Sequence, residues 1–264
     1  MFKKVGSLLF FITFSLFVFA QQSNIKFDRI NYKDGLSQSD VTSIIQDYRG
    51  LIWMGTQDGL NLFNGFEFTV FSHDLSDSTS ISNNFVHVLF EDSDSNLWIG
   101  TENGLNLFNR AKQNFRHFLK GTTSKNTKKL NVWSITEDEN KNVWVGTDSK
   151  LFKLTKNTTT PSNYSISKIN LPLSTKINEL LIRKLLFINA DELLIATESN
   201  GLFLYNPTTK VLEQFTTENS KLKSNIIWDI HKDSQGFIGI ATNNGINILN
   251  TQTKTIISVK DLDD

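Results

Sequence analysis

Four side chains suited to ligand contact, His87, Trp133, Arg183 and Trp228, stand at matched places in this chain, with Thr42 at a fifth. Each follows a β-branched residue (Val41, Val86, Val132, Ile182 or Ile227) that lies 15 residues ahead of a threonine. Indole rings offer flat apolar faces, and guanidinium and imidazole groups add directional polar contacts. Such groups converging on one mouth are the usual furnishing of a small-ligand site. The next position also varies, reading Ser43, Val88, Ser134, Lys184 and Asp229. With Lys125, Lys128 and Lys129, the pair Arg183 and Lys184 would make a basic lip suited to an anionic sugar. The competing readings are side chains that merely fill a channel, and a solvated loop.

Other chemistries find no such pattern. His73, His87, His117 and His231 lack metal-ligand spacing. Asp92-Ser-Asp94-Ser-Asn96 resembles the start of a calcium loop, but Leu97 stands where the turn glycine belongs and Asn103 where the closing glutamate belongs. A hairpin turn is the expectation there. No acid–base pair stands out, and the chain contains no cysteine. We therefore expect no catalytic residue, no metal and no cofactor. Lys+Arg and Asp+Glu both number 27 in 264 residues, a balance that argues against a nucleic-acid partner.

The elements that position these residues come from a repeat. Leu51-Ile-Trp-Met-Gly-Thr56 returns as Leu97-Trp-Ile-Gly-Thr101 and Val143-Trp-Val-Gly-Thr147, with altered copies at Leu193–Thr197 and Ile238–Thr242. The threonines lie 45, 46, 50 and 45 residues apart. Each unit reads as four short strands joined by Asp- and Gly-bearing turns, which predicts an all-β fold, a β-propeller of four-stranded blades. The expected blades are 41–71, 86–119, 132–171, 182–216 and 227–260, preceded by an outer strand over 26–33. Residues 176–187 show helical spacing when read alone. The constant offset from Ile182 to Thr197 instead makes residues from Ile182 onward a strand.

Trp53, Trp98 and Trp144 repeat at one position of the second strand. Packing between blades is the favoured reading, over platforms for sugars. Leu194 and Gly239 replace them in the last two copies, which predicts looser packing there unless Phe237 fills in. Gly55, Gly100 and Gly146, followed by Thr56, Thr101 and Thr147, suggest a close approach by a neighbouring backbone. Thr197 and Thr242 continue the series.

Residues 1–20 read as a signal peptide, with Lys3 and Lys4 before an apolar run and Val18 and Ala20 flanking a cut before Gln21. An uncleaved anchor is the alternative. The mature chain, 21–264, is then expected to be periplasmic or secreted and without membrane insertion.

Gly35-Leu-Ser-Gln-Ser-Asp-Val41, with Gly50-Leu-Ile-Trp53, Gly55-Thr56 and Asp58-Gly-Leu-Asn-Leu-Phe-Asn-Gly65, resembles the two-component regulator propeller repeat. That resemblance implies the periplasmic sensor region of a hybrid histidine kinase, built on seven-bladed propellers and responding to carbohydrate products. Five copies without a kinase imply an incomplete propeller from the front of a longer sensor, whereas a closed five-bladed ring is the rival. The partners implied are a saccharide, and a second copy or downstream receptor domains. Alternative functions are a stand-alone secreted module for glycan or protein, or a propeller hydrolase or lyase.

Overall fold

The computed structural model describes residues 27–258 apart from 28, 120–128, 158–162, 174–176 and 178–179. The expected signal peptide and residues Lys125 and Lys128 lie outside these. The repeats lie within the unit Asn31–Asp264. Among the described residues no helix is long and apolar enough to cross a membrane.

Five four-stranded antiparallel meanders make up this unit. The first comprises β1 (Val41–Gln46), β2 (Ile52–Thr56), β3 (Gly59–Phe63) and β4 (Phe68–Phe71), and the second β5 (Val86–Glu91), β6 (Leu97–Thr101), β7 (Gly104–Asn109) and β8 (Asn114–Phe118). The third comprises β9 (Val132–Glu137), β10 (Val143–Thr147), β11 (Leu151–Lys156) and β12 (Tyr164–Ile169). The fourth holds β13 (Ile182–Asn189), β14 (Glu192–Thr197), β15 (Leu202–Tyr205) and β16 (Leu212–Phe215). The fifth holds β17 (Ile227–Lys232), β18 (Ile238–Thr242), β19 (Gly245–Asn250) and β20 (Thr255–Ser258). The stretch with helical spacing is thus strand from Ile182 onward.

A single sheet has no interior, so the apolar residues are buried between sheets. Each of the four main clusters joins two successive blades; one, for example, gathers Trp98, Leu105, Val132, Ile135 and Val145. The first strand of each blade lies beside the first strand of the next and against the second strand of the blade before it. Strands β6 and β10 are consequently buried along their whole length, unlike the half-exposed strands of a two-layer sandwich.

Glycine makes this stacking close. A Cβ on Gly55 would come within 2.6 Å of Val86, one on Gly100 within 2.6 Å of Val132, and one on Gly146 within 2.5 Å of Ile182. The expected close approach is therefore mainly a side chain entering the space that glycine leaves. Ala196 and Ile227 meet in the fourth junction, both fully buried.

The repeated tryptophans are structural. Trp53, Trp98 and Trp144 are buried, and their Nε1–H groups donate to Asp47, Asp92 and Asp138 at 3.0, 2.8 and 2.9 Å. The other oxygen of each aspartate accepts backbone N–H groups of the following turn. In Asp92–Asn96, Asp92 serves Trp98 and Asn96, while Asp94 binds Lys141 and Lys156. That stretch is the hairpin turn between β5 and β6. The threonines close the opposite hairpins: Thr56, Thr101, Thr147, Thr197 and Thr242 donate to the carbonyls of Gly59, Gly104, Lys150, Gly201 and Gly245.

Two expectations are corrected, one over 26–33 and one in the fourth blade. Over the described part of 26–33 there is no strand. Instead Tyr32–Asp34 forms a 3-10 turn, because Asn31 and Asp34 cap each other's backbone and Gly35 ends the turn at φ 106°. Phe66 lies outside β4 and is almost fully exposed, since Asn64 Oδ1 captures the N–H groups of Phe66 and Glu67 into a turn. The fourth blade is not loose: Leu194 is fully buried in place of tryptophan, and the aspartate is replaced in step by buried Ile188. In the fifth blade Gly239 is left open and Phe237, 38% exposed, does not fill the space.

Burial alone would raise the Asp138 pKa, but hydrogen bonds from Trp144 and Asn142 outweigh it and hold the carboxyl below its ordinary 3.8. A depressed native pKa contributes stability that is complete above 3.8 and lost as pH falls through the native value. Trp144→Phe keeps most of the volume and removes the donor. Urea titration at neutral pH should show a loss of about 1–3 kcal/mol, and the further loss as pH falls below 3.8 should be smaller than in the parent. Unchanged stability and an unchanged acid limb would contradict this role for the indole N–H.

Candidate ligand-binding site on the first strands

All five variable residues occupy the same irregularity. In the first blade Val41 pairs with Thr56 and Ser43 with Gly55, leaving Thr42 as an extra residue. The same slip leaves out His87, Trp133, Arg183 and Trp228 in the other blades. A bulge of this kind turns one side chain out of the alternation of the strand. The residue before it remains locked in the blade junction, so the bulged residue varies without disturbing the frame.

The structure brings four of the five together. The rings of His87 and Trp133 stack with centroids 4.0 Å apart and planes 27° apart. The Arg183 guanidinium lies 4.6 Å from the Trp133 centroid and 5.3 Å from that of Trp228, between the two indoles. Phe85 extends the stack behind His87 at 4.4 Å. One continuous column of rings and one cation thus crosses four blades. It ends on Trp228, which is 50% exposed. Thr42 does not join it, because its hydroxyl donates to the Val86 carbonyl at 2.5 Å and ties the first two blades.

Arg183 is held by Glu198, with Nη2 to Oε2 at 2.5 Å. The expected basic lip is neutralised where it is described: Lys129 pairs with Glu102, Lys184 with Asp229 and Arg183 with Glu198. Among the described residues His87 Nε2, Trp133 Nε1 and Arg183 Nε are buried without a hydrogen-bond partner. Burial drives the His87 pKa down from 6.5 to about 4; Glu102 opposes the shift and Arg183 adds to it. The column therefore contains a neutral imidazole at physiological pH. It can offer a π face, a fixed cation and N–H donors.

Glu102 and Glu198 were not singled out by sequence reasoning, although each directly follows a repeated threonine. Asn61, Asn106 and Asn247 were also missed. They are fully buried in the third strands and accept backbone N–H groups from Ser37, Ser82 and Lys223, pinning the segment that enters each first strand. Their signal was a polar residue at one fixed place in an apolar strand.

Comparison with known proteins fits this geometry. Residues 35–58, 80–103 and 128–149 match the two-component regulator propeller family. These segments cover the turn, second strand and threonine hairpin of the first three blades. A 78-residue stretch is 45% identical to histidine kinase P4 of Formosa agariphila, covering 30% of this chain and 6% of that protein. The extracellular domain of a putative hybrid two-component system of B. thetaiotaomicron superposes with a TM-score of 0.73 at 26% identity, over 87% of this chain and 31% of that one. This chain spans less than a third of either relative. The fold is shared more widely: virginiamycin B lyase of Staphylococcus aureus has a TM-score of 0.62 at 13% identity, over 82% of this chain and 68% of that one.

His87 supplies a test of the column. Its native pKa lies below the unfolded value, so the unfolded chain takes up the proton first. Stability should fall as pH drops below 6.5 and level off near the native value of about 4. In an NMR titration the His87 ring should change state near pH 4. His87→Phe should keep the stack and remove this part of the acid dependence. A ring that titrates near 6.5 would show that it is not packed as described.

Proposed function

We propose that this chain is an exported ligand-sensing segment of a two-component receptor, contacting its ligand through the His87–Trp133–Arg183–Trp228 column. The column is the observation that carries the reading. Four side chains from four blades meet at a position where the frame permits variation, and the last indole presents a face to solvent. A saccharide is the ligand class. The indole face suits the apolar face of a sugar ring, and Arg183 with Glu198 suits its hydroxyls. The related extracellular domains of hybrid two-component systems support the receptor setting.

The blade faces at the two ends support a place in a larger propeller. Val41 is 41% exposed, whereas its counterparts Val86, Val132, Ile182 and Ile227 are fully buried. Ala241, at the place of Gly55, Gly100, Gly146 and Ala196, is exposed. Ile44 and Ile246 are 61% and 55% exposed beside them. These are the two halves of a blade junction, each without its mate among the described residues. Blades from elsewhere in a longer polypeptide would cover them, and the relatives' greater length accords with this.

A thermal-shift screen against a panel of oligosaccharides tests the sensing role. At least one sugar should raise the melting temperature of the parent chain. Trp228→Ala should abolish that shift while leaving the unliganded melting temperature unchanged, because half of the ring is already in water. No shift with any sugar, or an equal shift in Trp228→Ala, would overturn the proposal.

A further inference from the structure

The fifth blade keeps one half of a repeated pair. In the first three blades one oxygen of Asp47, Asp92 or Asp138 holds the hairpin turn, and the other accepts the indole N–H of a tryptophan six residues on. The fourth blade replaces both members together, with Ile188 and Leu194. The fifth loses the indole alone. Asp233 Oδ1 accepts the N–H groups of Gln235 and Phe237 at 2.8 and 2.9 Å, as in the other turns, but Gly239 stands at the place of the tryptophan. Among the described residues no donor reaches Asp233 Oδ2.

The place of the ring is preserved. His231 pairs with Gly239 and Lys232 with Ile238, the register that Ile45–Trp53 and Gln46–Ile52 hold in the first blade. Asp233 therefore bears the same relation to position 239 as Asp47 bears to Trp53. A Cβ on Gly239 would meet only the His231 carbonyl, at 3.8 Å. Around Gly239 lies an open hollow of about 190 Å³, floored by Gly239, Ile240 and Ala241 and bordered by His231 and Ile246. An apolar cavity of about 150 Å³ is enough to hold a benzene ring. Phe237 does not line this hollow.

We infer that this hollow receives the indole side chain of a tryptophan carried by the polypeptide that covers the fifth blade. The inference rests on the reading that blades of a longer polypeptide cover the two end faces. His231 and Ile248 are the cross-strand neighbours of Gly239, so an indole over the glycine would lie between their side chains. Its N–H would donate to Asp233, which restores from outside the pair that three blades make within themselves. A bare phenyl ring would fill the space and leave the carboxylate oxygen without a donor. Tryptophan meets both demands, and a ring with one polar N–H is a common anchor of protein interfaces.

NMR titration of the full chain with N-acetyltryptophanamide tests it, with the 1-methylindole analogue as a matched probe that lacks the donor. N-acetyltryptophanamide should bind saturably and shift the amide signals of Gly239 and Ile246. The methylated probe should bind about tenfold more weakly, the size of one hydrogen bond to a charged group. Asp233→Asn keeps an oxygen for the turn, so it should melt as the parent does and bind the two probes alike. Gly239→Leu, which copies the fourth blade, should fill the space and abolish binding of both. No saturation at about 10 mM probe, equal affinity of the parent for the two probes, or a preference that survives in Asp233→Asn would overturn the inference. So would undiminished binding in Gly239→Leu. None of these results would touch the covering of the end faces, which rests on Val41 and Ala241.

Discussion

One steric relation organises the molecule: a β-branched residue at the start of each first strand enters the space above a glycine or alanine in the preceding blade. Val86 over Gly55, Val132 over Gly100, Ile182 over Gly146 and Ile227 beside Ala196 are four instances. A Cβ at any of the three glycines would lie about 2.5–2.6 Å from that side chain, a separation that real Cβ atoms do not reach. The contact sets how closely two sheets approach, and so how well tryptophan, leucine and phenylalanine fill the space between them. Interiors packed at this density resist even one added methyl group.

This relation also explains where variation is permitted. The locked residue pairs across its strand with the hairpin threonine, so both ends of the 15-residue span are fixed. The bulged residue between the locked position and the rest of the strand carries no such burden. In this chain those places hold imidazole, indole, guanidinium and a second indole, whose faces meet because the blades are held at a constant spacing. The column is thus a product of the junctions beneath it. Thr42 departs because its hydroxyl finds the Val86 carbonyl, a backbone acceptor within reach of a short side chain.

Much of the fold was legible because a period of about 45 residues with constant internal offsets leaves few architectures open. The register overrode helical spacing before Phe187 for the same reason. Local turn chemistry was harder to read. Asn31 and Asp34 built a cap where a strand was expected, and Asn64 drew Phe66 into a turn. The position of the site residues was legible, but their meeting was not, since stacking across four blades depends on distances that no sequence pattern contains. The pairing of the basic lip with Glu102, Glu198 and Asp229 was hidden for that reason.

The most direct test of the junction is a double-mutant cycle at Gly146 and Ile182, read by urea unfolding. Gly146→Ala in the parent forces a Cβ against Ile182 Cγ2, whereas in the Ile182→Ala background that atom is gone. The double variant should be more stable than the sum of the single effects by about 1 kcal/mol or more. Additivity within about 0.5 kcal/mol would mean that the two residues do not share the space, and that the spacing of the blades has another cause.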